Sequence, residues 1–197
     1  MQQLCLDGGT YYIKPMMIEV MNMLIAISGK QRAGKDTVAN YLVDNYGFRR
    51  ISFAQPIKTL AVSYFGLDPK DVYVNKPDYV RKVLQDIGKI GRYINEDFWV
   101  EQALRSYNPK DNIVISDLRF QNEARYLKSL DGILVRIESD YHDRLTRGPL
   151  TNEEDISEID LDDYQFDYYL YNNSSLGELY MQVDILMEEL RDKYGKI

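Results

Sequence analysis

The sequence contains a single cysteine and a single histidine among its 197 residues. Because Cys5 has no partner for an internal disulfide, we expect the chain in a reducing compartment such as the cytoplasm. A zinc site is not predicted, since structural zinc needs several Cys or His ligands. Long apolar runs are also missing. None approaches the roughly 20 residues that cross a bilayer, so we expect no membrane partner.

Positive charge is scarce as well. The chain has 24 Lys and Arg against 31 Asp and Glu, which gives a net charge of -7. Proteins that bind nucleic-acid backbones broadly need a basic face, so we expect no nucleic-acid partner. Any recognition of phosphate must therefore be local. Acidic residues concentrate in residues 153–163, which we call the acidic segment and which is too short for a separate domain.

The order of apolar patterns predicts an α/β fold. Residues 1–22 carry little periodicity and are interpreted as an N-terminal extension, whereas residues 23–197 suit one domain. The pattern predicts strands at 24–28, 51–54, 113–116, 133–137 and 167–171. It predicts helices at 35–46, 56–65 and 121–130, one that begins after Ser175, and one with an apolar face of Val80, Val83, Leu84, Ile87 and Ile90. This alternation is typical of a mostly parallel sheet covered on both faces.

A glycine-rich segment follows the first predicted strand and opens the first predicted helix. Gly29–Lys35 fits the spacing G-x-x-x-x-G-K. Its glycines let backbone N–H groups converge on phosphate oxygens, and Lys35 can reach the β- and γ-phosphates of a nucleotide. The segment, which we call the phosphate loop, therefore predicts a nucleotide site. Asp36 stands where many such loops have Ser or Thr, and Thr37 follows it, so the residue that assists Mg²⁺ stays open.

An Asp-Leu-Arg triplet follows the third predicted strand. Asp117 and Arg119 lie at the carboxyl end of that strand, where ligands collect in open α/β sheets. We interpret Asp117 as an organiser of the site that orients Mg²⁺ or its waters, and Arg119 as a ligand of an acceptor phosphate. A structural ion pair is the alternative.

Two further arginines follow the fourth predicted strand. Arg144 and Arg147 lie in residues 141–148, a polar segment with a Gly-Pro end that is typical of a mobile loop, within a lid predicted at about residues 139–150. Since arginines in such a loop can close over ATP, we predict a small mobile lid. A solvated basic turn opposite the acidic segment is the alternative.

Two aromatic residues are candidates for contact with a base. Trp99 lies in a helical pattern, where a core position is the first interpretation and stacking on a base the second. Phe53, at the end of a predicted strand, has the same two interpretations.

Together these segments resemble the deoxynucleoside monophosphate kinases of bacteriophages, which belong to the P-loop nucleoside monophosphate kinase group. The resemblance extends from about Met23 to Leu190, and it is carried by residues 28–37, 53–58, 85–88, 95–99 and 116–120. An aspartate after the loop lysine is usual in that family. A related pattern occurs in animal-type phosphomevalonate kinases, which makes that family the alternative.

The resemblance implies a three-layer α/β/α P-loop kinase fold with a five-stranded parallel sheet and a lid. It implies transfer of the γ-phosphoryl group of ATP to a deoxynucleoside monophosphate, with Mg²⁺ as the cofactor. The ATP-binding candidates are Gly29, Lys30, Arg32, Ala33, Gly34, Lys35, Asp36 and Thr37, of which the last two are the metal candidates. The catalytic candidates are Lys35, Arg32, Arg144, Arg147 and Asp117. The candidates for binding the acceptor are Phe53, Lys58, Arg81, Gln85, Arg92, Trp99, Asp117 and Arg119.

A non-catalytic P-loop module that binds a nucleotide and transfers nothing is the contrasting hypothesis. A kinase needs a basic acceptor pocket beside the loop, and the acceptor candidates supply four cations. Phe53 and Trp99 favour an acceptor that carries a base over phosphomevalonate. We expect a cytoplasmic protein, in the host cytoplasm if the chain comes from a phage. The preferred base, the choice of deoxyribose and the oligomeric state, with a homodimer among the alternatives, stay open.

Overall fold

The computed structural model describes residues 3–7, 10–14, 23–151 and 153–195. Near the N-terminus, β1 (Gln3–Asp7) and β2 (Thr10–Lys14) pair as an antiparallel hairpin. They form a sheet of their own. The hairpin lies within the predicted extension, and the boundary predicted at residue 22 lies outside the described residues.

The main sheet has five parallel strands, in the order β4, β5, β3, β6, β7. They are β3 (Leu24–Ser28), β4 (Arg49–Ile51), β5 (Ile113–Ile115), β6 (Ile133–Glu138) and β7 (Tyr168–Tyr171). Every residue of β3 and β5 is buried, as expected for central strands that are covered on both faces. The predicted five-stranded parallel sheet is confirmed.

Helices precede or follow each of these strands. They are α1 (Lys35–Tyr46), α2 (Ala54–Ser63), α3 (Asp78–Ile94), α4 (Phe98–Ala103), α5 (Gln121–Lys128), α6 (Tyr141–Thr146), α7 (Ile156–Ile159) and α8 (Leu176–Tyr194). A π-helical turn covers Asp71–Asn75, and a 3-10 turn covers Leu104–Ser106. In the described part of the chain, no helix combines the length and the apolar character that a membrane span requires.

The two faces of β3 pack against different helices. Ile25 and Ile27 share a buried cluster with residues of α1 and α8, whereas Leu24 and Ala26 share one with residues of α4 and α5. Successive side chains of a strand point to opposite faces of its sheet, which explains the division. The sheet is therefore the middle of three layers, and the predicted α/β/α fold is confirmed.

The second main-sheet strand and the helix after it begin earlier than predicted. The prediction gives a strand at 51–54 and a helix from Pro56, whereas β4 ends at Ile51 and α2 begins at Ala54. The carboxylate of Asp117 accepts hydrogen bonds from the backbone N–H groups of Phe53 (3.0 Å) and Ala54 (2.9 Å). A partner that lies far along the chain thus draws these residues into the start of a helix.

One residue predicted to face inward from α3 is exposed. Ile90 is 61% exposed, while Val80 and Ile87 are buried as expected. The buried face of α3 also includes Gly88 and Gly91. Glycines let neighbouring side chains approach the helix backbone. The packed face of α3 is therefore centred on Gly88 and Gly91, and Ile90 points to solvent.

We expect Gly91→Ala to destabilise the fold. A Cβ atom at Gly91 would collide with the indole ring of Trp99, which is itself buried. Overpacking of this kind costs about 1 to 3 kcal/mol of unfolding free energy. Chemical denaturation measures it. In the control Gly88→Ala, the new Cβ lies 3.4 Å from the Arg92 guanidinium, so that stability should be kept. Equal stability of both variants would contradict the close packing at Gly91.

Candidate active site

The phosphate loop connects β3 to α1 through an unusual backbone path. Gly29 (φ 150°), Arg32 (φ 62°) and Gly34 (φ 109°) all have positive φ angles. Such turns let successive N–H groups point into one concavity, which favours an anion. A Cβ atom at Gly34 would lie 2.5 Å from the side-chain nitrogen of Asn172, so only glycine fits there. The loop therefore has the backbone shape of a phosphate cradle.

The side chain of Lys35 folds back over this loop. Its Nζ atom donates to the carbonyl oxygens of Gly29 (2.7 Å) and Lys30 (2.9 Å). Burial, followed by repulsion from Arg119, lowers the pKa of Lys35 to about 8. The ammonium is thus held inside the loop by neutral oxygens, which a phosphate group can replace.

The predicted lid segment is bonded directly to the loop. Arg147 donates to the carbonyl oxygens of Arg32 (3.0 Å) and Asn172 (2.6 Å) and to Oγ of Ser139 (2.9 Å). Arg32 donates in return to the carbonyl oxygens of Arg147 (2.6 Å) and Pro149 (2.9 Å). Within the segment that was predicted as a loop, α6 forms a short helix, because the Gly-Pro pair lies beyond its last turn.

Arg144 has a different environment from Arg147. It is buried, and its Nη1 atom donates to Oε1 of Glu153 (2.8 Å) and to the carbonyl oxygen of Gln31 (3.3 Å). Its Nε atom is buried and has no hydrogen-bond partner among the described residues. Arg144 therefore joins the lid segment to the loop and to the acidic segment.

A cavity of about 350 Å³, which we call the basic cavity, lies beside the phosphate loop and reaches Gln31. All eight candidates for binding the acceptor line it: Phe53, Lys58, Arg81, Gln85, Arg92, Trp99, Asp117 and Arg119. Arg81, Gln85 and Arg92 lie four and seven residues apart on α3, a spacing that puts them on one helix face. A wider groove of about 970 Å³, lined by residues of β4, α2 and α4, includes no residue of the loop.

Asp117 organises one wall of the basic cavity. Its carboxylate accepts a hydrogen bond from the Ser52 hydroxyl (2.7 Å) in addition to those from Phe53 and Ala54. These contacts fix the first turn of α2, which carries Lys58 into the cavity lining. Its role towards a metal ion remains a prediction.

Phe53 and Trp99 are buried and also line the basic cavity. The Trp99 indole donates to the carbonyl oxygen of Gly88 (2.9 Å), and its ring packs edge-on against Phe98 at 4.9 Å between centroids. The first interpretation of Trp99, as a core residue, therefore agrees with its packing, while contact with a base remains a prediction.

Sequence reasoning missed Glu123, which also lines the basic cavity. The carboxylate is buried and accepts hydrogen bonds from the N–H groups of Arg119 (2.8 Å) and Phe120 (3.0 Å). Burial raises the pKa of Glu123 to about 8. Glu123 is the third residue of α5, the glutamate position of a capping box, but Phe120 stands where that pattern has Ser or Thr, so the sequence carries only half of the signal.

Arg50 was also missed, and it bears on the metal candidates. Its guanidinium pairs with Asp36 and donates to Oγ of Ser116 (2.6 Å) and to Oδ1 of Asn40 (2.9 Å). The Asp36 side chain is 77% exposed. Across the described residues, no three His, Cys, Asp or Glu side chains group as metal ligands. The assignment of Asp36 or Thr37 as a metal ligand remains a prediction.

Comparison with known proteins agrees with this geometry. A family model described as "Deoxynucleotide monophosphate kinase" matches residues 23–78. A protein of Acanthamoeba polyphaga mimivirus, provisionally named a deoxynucleotide monophosphate kinase, is 30% identical over 189 residues, which cover 82% of this chain and 94% of that protein. It is a viral relative but not a bacteriophage one. A phosphomevalonate kinase of Drosophila melanogaster is 29% identical over 192 residues, covering 88% of this chain and 100% of that protein.

Solved structures with the same fold include shikimate kinases. The enzyme of Aquifex aeolicus aligns with a TM-score of 0.51 at 18% identity, over 85% of this chain and 97% of that one. The enzyme of Acinetobacter baumannii aligns with a TM-score of 0.51 at 14% identity, over 89% and 98%. At this identity the likeness concerns the fold alone. The family match and the mimivirus relative go further: the chain is an ATP-dependent phosphotransferase that belongs to the deoxynucleotide monophosphate kinase family.

Proposed function

We propose that this kinase transfers the γ-phosphoryl group of ATP to a deoxynucleoside monophosphate in the cytoplasm, that of the host if the chain is viral. The observation that carries the proposal is the basic cavity beside the phosphate loop. Its cations suit an acceptor phosphate, and they are Lys58, Arg81, Arg92 and Arg119. Phe53 and Trp99 in the same lining suit a base, since aromatic faces bind bases irrespective of their identity.

The reaction requires positioning more than covalent chemistry. An oxygen of the acceptor phosphate attacks the γ-phosphorus, the bond from that phosphorus to the β–γ bridging oxygen breaks, and ADP leaves with the electron pair. The acceptor oxygen is already ionised near neutral pH, so no strong general base is needed. Lys35 and Arg147 then stabilise the charge of the migrating group, and Arg119 holds the acceptor.

Mg²⁺ is the cofactor that this chemistry implies. When bound, it would neutralise negative charge on the nucleotide phosphates. Mg²⁺ usually keeps several waters in such sites and takes only one or two carboxylate ligands from the protein. Thr37, or Asp36 after release from Arg50, would supply the protein ligand.

We expect the affinity for ATP to fall as pH rises above about 8. The pKa of Lys35 in the ligand-free chain is about 8, lowered by burial. A bound phosphate favours the protonated amine, so binding at higher pH must take up a proton. Below pH 8 the amine is already charged and the affinity is level. Above it, Kd rises by up to about tenfold per pH unit.

Isothermal titration with Mg·ATP from about pH 7 to 9.5 measures this dependence. The Lys35→Arg variant is the matched control, because a guanidinium stays charged throughout this range. Its affinity should be independent of pH even if it is weaker. A wild-type profile as flat as that of the variant would show that Lys35 does not contact the phosphates.

The acceptor is tested by a coupled assay of ADP release. We would compare the four common deoxynucleoside monophosphates, their ribose counterparts, phosphomevalonate and no acceptor. Turnover with at least one deoxynucleotide, and none with phosphomevalonate, is expected.

Phosphomevalonate kinase activity is the second candidate, because the Drosophila relative is matched over its whole length. Turnover with phosphomevalonate and with no deoxynucleotide would reverse the ranking. ATP binding without any turnover would favour a non-catalytic module.

A further inference from the structure

One carboxylate lies between the phosphate loop and the basic cavity. Oε2 of Glu158 accepts a hydrogen bond from the backbone N–H of Gln31, at 2.8 Å. Its other oxygen, Oε1, forms an ion pair with the guanidinium of Arg119. The Glu158 side chain is only 9% exposed. A single side chain therefore occupies one N–H donor of the loop and the acceptor arginine at the same time.

The rest of the acidic segment reinforces this placement. Lys30 of the phosphate loop donates to the carbonyl oxygen of Glu158 (2.7 Å) and pairs with Asp162 (2.5 Å). Glu153 pairs with Arg144 of the lid segment, at 2.8 Å. The segment thus brings negative charge to cations that serve both substrates in the proposed function.

These contacts conflict with bound phosphates. N–H groups of the loop and the Arg119 guanidinium are the donors that phosphate oxygens would use. A carboxylate left beside a triphosphate and a monophosphate would repel both in a partly buried site, where charges are weakly screened. Binding of either substrate at these donors therefore requires the Glu158 side chain to leave.

We propose that the Glu158 carboxylate couples the two substrate sites. In the ligand-free chain it competes with phosphate at both sites, and the substrate that binds first displaces it. The second substrate then finds its donors already released and binds more tightly. Such coupling is reciprocal, because each ligand must change the affinity of the other by the same factor. This inference rests on the proposed function.

The test is a binding cycle on the whole protein with Mg²⁺, the non-transferable analogue AMPPNP and the best deoxynucleoside monophosphate of the coupled assay. Calorimetry gives the Kd of each ligand alone and with the other at saturation. In the wild type, each ligand should tighten the other by about fivefold or more. In Glu158→Gln, each ligand alone should bind about tenfold more tightly, as expected for removal of a competing charge-assisted contact, and the coupling should fall towards one.

Glu154→Gln is the matched control, since Glu154 is an exposed residue of the same segment and the change removes the same charge. It should leave affinities and coupling at wild-type values, which separates displacement from a general charge effect. Thermal melting of both variants checks the fold. A well-folded Glu158→Gln with unchanged affinities would overturn the proposal. So would weaker binding with reduced kcat, which would mean that Glu158 holds Arg119 in its working position.

Failure of the proposed function has a different signature. A wild-type protein that phosphorylates no deoxynucleotide would refute the function, whereas the titrations with AMPPNP alone would still decide whether Glu158 competes at the phosphate loop. Tighter AMPPNP binding by Glu158→Gln than by Glu154→Gln supports displacement from the loop, and equal binding overturns it.

Discussion

Replacement of Lys35 by alanine should abolish measurable phosphoryl transfer and leave the fold intact. The ammonium is held inside the phosphate loop by the carbonyl oxygens of Gly29 and Lys30. Loss of a single charge-stabilising donor typically lowers kcat by about 100- to 1000-fold, and loss of a full charge at the migrating group should reach the upper end.

Stability should not suffer in the same variant. The lowered pKa of Lys35 means that folding disfavours the charged amine, because burial removes it from water. Its removal therefore relieves a cost rather than breaking a core contact. Steady-state turnover and thermal melting, measured on the same preparation, would check both claims. Lys82→Ala is the control, since Lys82 is exposed and pairs with Asp86 on the same helix. Normal turnover of Lys35→Ala would refute the assignment of the loop.

The parts of the fold that the sequence predicts are those that depend on neighbours along the chain. The phosphate loop is continuous from Gly29 to Lys35. In the strand and the helix that flank it, apolar residues recur at periods that a short window of sequence reveals. The cavity lining was also predictable in part, because Arg81, Gln85 and Arg92 share a helical spacing.

What the sequence did not predict depends on distant partners. Gln31 and Glu158 are 127 positions apart, and no local pattern links a loop N–H to a glutamate in an acidic run. Arg50 takes Asp36 as its partner across 14 positions, and the start of α2 is set by Asp117, 63 positions from Ala54. Ile90 faces outward because Gly91 admits Trp99. Each of these follows from packing or charge pairing that only the folded chain brings about.

Arg147→Ala should lower kcat by about 100-fold, a value typical for loss of one charge-stabilising donor, with a much smaller change in the KM of the acceptor. Its guanidinium donates to the carbonyl oxygens of Arg32 and Asn172 and to the hydroxyl of Ser139, all neutral oxygens. Its charge is therefore available to a phosphate at the adjacent loop. Because this contact forms mainly as charge develops on the migrating group, its loss should affect turnover more than ground-state binding.

A comparison of Arg144→Ala with Arg147→Ala separates a structural role of the lid segment from a catalytic one. Arg144 is buried and pairs with Glu153, so Arg144→Ala should cost about 1 to 3 kcal/mol of unfolding free energy, as expected for a lost charged hydrogen bond. Arg147 is exposed, and its loss should leave the melting temperature nearly unchanged. Arg125→Ala is the control, because Arg125 is an exposed arginine 3.7 Å from Glu96, and it should change neither kcat nor the melting temperature.

Because closure of a lid excludes water, Arg147→Ala should also hydrolyse more ATP per phosphoryl transferred. Near-normal kcat in both lid variants would show that neither arginine is catalytic and that residues 139–150 are not a catalytic lid.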